Sequence, residues 1–432
     1  MSELKRTILY QAHLDAGATM VDFGGWDMPI QYPEGIIAEH LYCRRHCGIF
    51  DVSHMGRIDV EGPDQVAFLQ HVLSSNVLAL DLNQAQYCII PDANGYAIDD
   101  AYLYRFEEGK YFLVINAGNI DKDWAHLMNE AKNFDVKLTN VSDKYAAIAV
   151  QGPESKKILM TLSGGRQLTP ENVKNALNSL TMEGKPVRIA KTGYTGEPIG
   201  YELYCNSEDA RYFWDRLIEL GAKPTALGAR DTTRMEAALP LYGHEMGECE
   251  MGGEIQIYAV PLAKFAVSFD EAKGDFIGRE PLRKQFEALK KIMNRDYSSI
   301  EDLPYRIQPI YLEGKGVLRK GFPIYCKDAW AEGKQIGYVT SGTMIPYYKT
   351  EGQGLESVFT DETGKRSIGL AYMDSRICQD FDIEIDIRGR RQPAKVVGYH
   401  IRQDAAPYVR PILPDVKIET AAPSTDSYPE KM

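Results

Sequence analysis

The feature that most constrains this chain is a change of pattern near residue 295. Up to "EPLRKQFEALKKIMN" (280–294), helical and strand signals alternate. Beyond "RDYSSIEDLP" (295–304), only short strands and turns follow. A helix repeats its apolar positions every 3.6 residues and a strand every two, so one pattern cannot serve both structures. Two architectures are therefore expected, joined by a polar, proline-terminated linker. At 432 residues the chain is also too long for one core and is expected to form two or three domains.

Before the linker, Val66, Leu69, Val72 and Leu73 mark one face of a helix beginning near Asp64. "YFLVIN" (111–116) predicts a strand, followed by a helix over "IDKDWAHLMNEA" (120–131). "PESKKILMTL" reads as helix, "PVRIAKT" and "YELYC" as strands, and "SEDARYFWDRLIEL" (207–220) as a capped amphipathic helix. Hairpin-type turns between the strands predict an α+β region over 1–290 rather than a doubly wound sheet. From about residue 305, "RIQPIYLEG", "GFPIYC", "QIGYVTSGT", "IGLAYM", "DIEIDIRG" and "QPAKVVGY" predict a small β-barrel or jelly roll over 305–410. Within it, "IPYYKTEGQGLESVFTDETGKR" (345–366) reads as a long polar insertion between two strands. The Pro/Ser/Thr-rich stretch over 411–432 is expected to be a disordered tail.

Charge and cysteine usage exclude several classes. With 49 basic and 61 acidic residues the net charge is −12, which argues against nucleic acid or an anionic membrane surface as partner. No apolar run reaches the ~18 residues a membrane helix needs. The N-terminal run is interrupted by Gln11, His13 and Asp15, unlike a secretory signal. Seven scattered cysteines, an odd number, fit a reducing cytoplasmic compartment. Cys43 and Cys47, with His40 and His46 nearby, fall on a predicted helix with Pro33 near its start and Gly48 at its end. No second ligand pair follows at finger-like spacing, so no metal site is assigned. "GHEMGE" (243–248) lacks the second histidine of a zincin. Neither a glycine-rich phosphate loop nor a serine nucleophile elbow is present.

Polar residues in apolar or glycine-rich settings remain as candidates for chemistry. In "NGYAIDDAYLY" (94–104), strand alternation puts Ile98, Asp100, Tyr102 and Tyr104 on one face and Asp99, Ala101 and Leu103 on the other. An aspartate flanked by tyrosines suits general acid/base work or anchoring of a heterocycle. The plainer alternative is that one aspartate caps the hairpin and the other is solvated. "KTGYTGEPIGYELYC" (191–205) sets Tyr194, Glu197 and Glu202 among glycines that permit close approach of a ligand or form a bulge. In "LGARDTTRMEAALPLYGHEM" (227–246), Arg230 and Arg234 share one side of a helix. Arg230 lies in its first turn, where a cation opposes the macrodipole and calls for an anionic partner, a ligand carboxylate or a surface aspartate.

Taken in order, "ATMVDFGGWDMPIQY" (18–32), "GIFDVSHMGR" (48–57), "NAGNIDKD" (116–123), "GYTGE" (193–197), "GARDTTRMEAALPLYGHEM", "KGDFIGRE" (273–280) and "GYVTSGT" (337–343) strongly resemble the glycine-cleavage T-protein, or aminomethyltransferase, family. The resemblance spans roughly residues 6–410. It implies a three-domain cloverleaf around a central folate pocket, with two intertwined subdomains before the C-terminal β domain. It also implies tetrahydrofolate as co-substrate and lipoylated H-protein as partner. The implied reaction belongs to glycine catabolism and one-carbon metabolism: an aminomethyl group on the lipoyl arm passes its carbon to folate and ammonia leaves. Carried over by position, Asp100 matches the catalytic aspartate, and Tyr87, Tyr104, Asn116 and Tyr194 match the pocket lining. Glu202 matches the carboxylate that meets the pterin's amino-pyrimidine edge, and Arg230 an arginine facing the site. Asp99 is left as the structural member of the pair, facing the turn or the other side of the sheet.

The chain departs from the family pattern at 197–202 and 259–268, and the 345–366 insertion is also atypical. "GYTGEPIGYE" carries one extra residue, leaving Glu202 and Glu197 as alternatives for the pterin carboxylate. Phe265 stands where a tryptophan is common. A folate-dependent O- or S-demethylase of small methylated compounds is accordingly the second functional expectation. A non-enzymatic folate-binding protein of the iron–sulfur-assembly type ranks below both, because Asp275 stands where that type has a cysteine.

Overall fold

The structure, a computed structural model, describes residues 3–170, 173–327, 330–402 and 405–409. The expected tail at 411–432 lies outside them. Two sheets dominate the first part of the chain. One has five strands in the order Gln84–Pro91, Ala97–Glu107 (β1), Lys110–Ile115 (β2), Gly56–Glu61 and Lys137–Asn140. The other has six, in the order Leu177–Met182, Lys185–Ala190, Gly200–Asn206 (β3), Tyr145–Gln151, Gly48–Asp51 and Lys223–Pro224. The chain passes from the second sheet to the first within residues 52–55 and later returns, so the two sheets interleave in sequence.

They meet through one core. Phe50, Val52, Ala147, Ala149 and Tyr204 from the six-stranded sheet pack with Tyr104, Phe106, Phe112 and Val114 from the five-stranded sheet. Tyr204 meets Tyr104 at 5.7 Å and Phe112 at 5.4 Å, both edge-to-face. Such pairs contribute about 0.5–1.5 kcal/mol beyond area burial. Helices cover the outer faces. The helix Ala210–Glu219 seats Phe213, Trp214 and Leu217 on the six-stranded sheet. Leu127 of a second helix, Ile120–Glu130, packs with Phe68, Leu69 and Val72 beside the five-stranded sheet. The stretch 18–32, named in the sequence only by resemblance, forms a hairpin of Thr19–Phe23 and Trp26–Gln31, turning at Gly24 and Gly25 with φ of 57° and 84°.

Beyond the linker the chain closes a six-stranded barrel, in the order Tyr305–Leu312, Val358–Asp374, Gln335–Glu351, Pro323–Cys326, Asp382–Asp386 and Arg391–Val396. Closure removes the unpaired strand edges of an open sheet. The segment 345–366, expected as a long polar insertion between two strands, instead extends both strands. The two strands, Gln335–Glu351 (β4) and Val358–Asp374 (β5), pair from Gly337↔Met373 out to Glu351↔Val358 as one long ribbon. Beyond Ile345 and Pro346 its residues are half-buried or exposed without a two-residue rhythm, so it carries no apolar alternation by which a strand is recognised. The ribbon leans on helix α1 (Gly35–Arg45), where Arg45 meets Asp361 at 2.8 Å and lies 4.8 Å over the Tyr348 ring. No helix among the described residues is long and apolar enough to cross a membrane.

A buried ion network joins the barrel to the first region. Arg44 of α1 reaches Glu236 at 2.9 Å and Glu197 at 2.5 Å, and Arg366 of β5 reaches the other Glu236 oxygen at 2.9 Å. Glu236 ends the helix Leu227–Glu236, and His40 lies 3.3 Å from it. Burial alone would raise the Glu236 carboxyl, yet Arg44, His40 and Arg366 hold it well below the usual range. Removing one partner from a buried pair strands the other charge, whereas an exposed pair gains little. Arg44→Ala is expected to cost about 3–5 kcal/mol in urea unfolding, and the neighbouring Arg45→Ala less than about 1 kcal/mol. Equal losses would show that the network contributes no more than a surface pair.

Candidate active site

The site begins with the hairpin that opens β1. Asp92 caps its turn by accepting the backbone N–H groups of Asn94 at 2.9 Å and Tyr96 at 2.8 Å, and Gly95 takes φ 81°. Turn capping therefore belongs to Asp92, and neither Asp99 nor Asp100 is a cap or solvated. Asp99 is fully buried and Asp100 is 9% exposed.

Asn116, immediately after the last residue of β2, joins the two aspartates. Its backbone N–H and side-chain amide each donate to Asp99 at 2.9 Å. The same amide donates to Asp100 at 2.8 Å, and Asn119 donates to Asp99 at 2.6 Å. Asp99 thus faces the strand end that carries Asn116 and holds that residue in place. Asp100 points to the other face, where the Tyr87 hydroxyl donates to it at 2.9 Å from the neighbouring strand. Burial, followed by the nearby Asp99 charge, raises the Asp100 carboxyl to about 7; the Tyr87 and Asn116 hydrogen bonds oppose the rise. A carboxyl poised near neutrality has both acid and base forms available. Burial, followed by the Asp100 charge, pushes the Tyr87 and Tyr194 hydroxyls well up.

Glu202 lies on β3 at the sheet–sheet seam. Its Oε2 accepts from Tyr104 at 2.9 Å, Thr192 at 2.6 Å and Tyr204 at 3.4 Å. Arg230, in the first turn of the helix Leu227–Glu236, forms no salt bridge among the described residues, and its Nη1 is buried without a hydrogen-bond partner. Burial lowers its proton affinity, and among the neighbouring charges Glu202 raises it most. Glu202 and Arg230 line a cavity of about 30 Å³ with Arg57, Tyr204, Met55, Val52, Val114 and Ala147. That volume holds a single water. Tyr102 feels both the Glu202 and the Asp100 charge. Tyr194, whose hydroxyl donates to the Pro240 carbonyl, feels Asp100 and acts on Arg230 in turn.

The seven candidate residues thus form two groups linked by tyrosines. Asp100, Tyr87 and Asn116 make one; Tyr104, Glu202 and Arg230 make the other, and Tyr194 lies within electrostatic reach of Asp100 and Arg230. The extra residue in "GYTGEPIGYE" is absorbed in the loop before β3. Glu197 turns away to Arg44, in a buried setting that raises its carboxyl to about 7. It takes no part in the cavity. Three contributors were missed in the sequence. Tyr204 was findable, since it sits two residues after Glu202 and shares its face. Thr192 and Arg57 carried no periodic signal. "KGDFIGRE" lies apart: Lys273 donates to the Gln70 and Leu73 carbonyls at the end of a neighbouring helix.

Comparison with known proteins agrees with this architecture. The sequence matches the GCVT N-terminal domain family over residues 9–258. An aminomethyltransferase of Deinococcus deserti is 38% identical over 394 residues, covering 90% of this chain and 95% of that one. One from Thermus thermophilus is 38% identical over 391 residues, covering 90% and 97%. A crystal structure of glycine cleavage system aminomethyltransferase T from Bartonella henselae superposes with a TM-score of 0.72 at 26% identity, covering 93% of this chain and 99% of that one. Fold and relatives define a transferase with an α+β body and a closed C-terminal barrel. The chain belongs to the GCVT family of aminomethyltransferases.

The raised Asp100 carboxyl has a consequence for stability. Between 3.8, its ordinary value, and about 7, the folded state holds a proton that the unfolded chain releases. The folded state binds more protons there, so this contribution falls as pH rises through the window. Asp100→Asn is expected to raise Tm by a few degrees at about pH 8 and hardly at all at about pH 4, by calorimetry. A Tm difference that does not change with pH would refute the raised value.

Proposed function

We propose that this protein transfers the methylene carbon of an aminomethyl group, carried on the reduced lipoyl arm of the glycine-cleavage H-protein, to tetrahydrofolate. The observation that carries this reading is the buried Asp100, poised near neutrality between Tyr87 and Asn116 and linked by tyrosines to Glu202 and Arg230. The relatives named aminomethyltransferase support the donor. Tetrahydrofolate supplies the amines that take up the carbon, giving 5,10-methylenetetrahydrofolate as ammonia leaves.

The residues present suit a pterin. Glu202 commits only Oε2 to protein hydroxyls among the described hydrogen bonds, leaving Oε1 to accept from an amino-pyrimidine edge. Arg230 brings an unsatisfied guanidinium N–H to the same cavity. Because that cavity holds only a water's volume, its walls must move to admit a heterocycle. Tyr87, Tyr104 and Tyr194 supply aromatic wall, while Asn116 holds the orientation of Asp100. Asp100 accepts a proton at one oxygen and returns it as the bridge forms, which its near-neutral value permits. The protein's share is position and proton handling. The cytoplasm is proposed as its compartment, since all seven cysteines are unpaired.

Turnover of tetrahydrofolate with aminomethylated, lipoylated H-protein tests the proposal. Asp100→Asn is expected to bind folate within a few-fold of wild type while losing about 10²–10⁴-fold in kcat. Full activity in that variant would refute the role of Asp100. Wild-type protein that binds folate but does not turn over the carrier would refute the donor and favour the demethylase branch.

A further inference from the structure

Asp123 is an acidic group beside this site to which the proposed function gives no role. It lies on the helix Ile120–Glu130, in the stretch "NAGNIDKD", and is fully buried. Neither of its carboxyl oxygens receives an N–H or O–H from any described residue. An ionised carboxylate left without donors in an apolar interior is unfavourable by several kcal/mol, so such a group keeps its proton. The group beside it that can accept that proton is the Asp99 carboxyl, the neighbour that raises Asp123 most after burial. Asp99 is already the target of three N–H donors, the Asn116 backbone, the Asn116 amide and the Asn119 amide. Asp99 is therefore the acceptor of the pair and Asp123 the donor.

The charges around the pair leave this division unchanged. On its own helix, Lys122 is exposed and spends its ammonium on the Ile98 carbonyl and the Tyr242 hydroxyl, 2.8 Å away. From β1, Asp100 adds a second like charge, and Cys88 on the adjoining strand is a buried thiol raised by burial. Tyr242, raised by burial and by Asp99, stays neutral.

We propose that Asp123 is a positioning residue: it donates its carboxyl proton to Asp99, completing the donor set on Asp99 that keeps Asn116 aligned on Asp100. The inference rests on the reading of Asp100 as the site's acid/base group. The three carboxyls then hold one permanent proton, and a second enters at Asp100. An asparagine at 123 also presents an N–H to Asp99, so the count of donors is kept. A valine removes a donor from Asp99, whose charge then bears on Asp100 less compensated. The loss of that hydrogen bond raises the Asp100 carboxyl further, by about one unit.

Infrared spectroscopy of the protein without folate or carrier reads the proton directly. At about pH 8.5, above the range in which Asp100 and Glu197 titrate, wild type is expected to show a protonated-carboxyl band. Asp123→Asn is expected to lose that band and Asp100→Asn to keep it. In turnover, the acid limb of the kcat profile is expected to stay in place for Asp123→Asn and to move up by about one unit for Asp123→Val. No band difference between wild type and Asp123→Asn would overturn the proposal, as would coincident acid limbs in the two variants. If Asp123→Val does not fold, the infrared comparison decides alone. Absence of turnover in wild type would strike the proposed function while leaving the infrared result standing.

Discussion

The site depends on one amide. Asn116 reaches two carboxylates that a strand would otherwise send to opposite faces, binding Asp99 through its backbone and side chain and Asp100 through its side chain. Neither aspartate could be buried without such donors, because a carboxylate out of water needs hydrogen bonds or a counter-charge. Their pairing with Asn116 and Asn119 makes the end of β1 a polar centre inside an apolar sheet. The orientation of Asp100 toward Tyr87 follows from it.

Burial decides protonation elsewhere in the molecule too, with opposite results according to partner. Glu236 meets Arg44, His40 and Arg366 and stays ionised far below the usual range, whereas Glu197, with Arg44 alone and Glu236 as a like charge nearby, rises to about 7. Arg230 forms no salt bridge among the described residues and keeps an unsatisfied N–H at the Glu202 cavity. A largely enclosed cation without a partner is costly to maintain, which marks Arg230 as a candidate ligand-facing group.

Much of this was legible before the fold was known. The change of pattern at 295–304 divides the α+β body from the barrel, and the amphipathic spacing of 207–220 predicts a helix that the structure places at Ala210–Glu219. Strand alternation correctly separated Asp100, with Tyr102 and Tyr104, from Asp99. The extended ribbon was not legible, because half-buried and exposed residues without a two-residue rhythm leave no period to detect. Nor was the route of Glu197. Two glutamates five residues apart among glycines look alike until Arg44, which is 153 residues from Glu197, takes one of them. In the sequence Asp123 is one acid within the predicted helix over 120–131, and only the approach of Asp99 to that helix gives it another character.

The sequence by itself determined the number of architectures, the division near residue 300, the faces of β1 and the family to which the motifs belong. These are local matters, set by periodicity, turn chemistry and residue identity along a few consecutive positions. Tertiary structure alone decided which carboxyls are ionised, which glutamate faces the cavity and how the barrel is tied to the body. Those outcomes hang on low-dielectric burial and on partners brought together from distant parts of the chain, and no local pattern encodes either one.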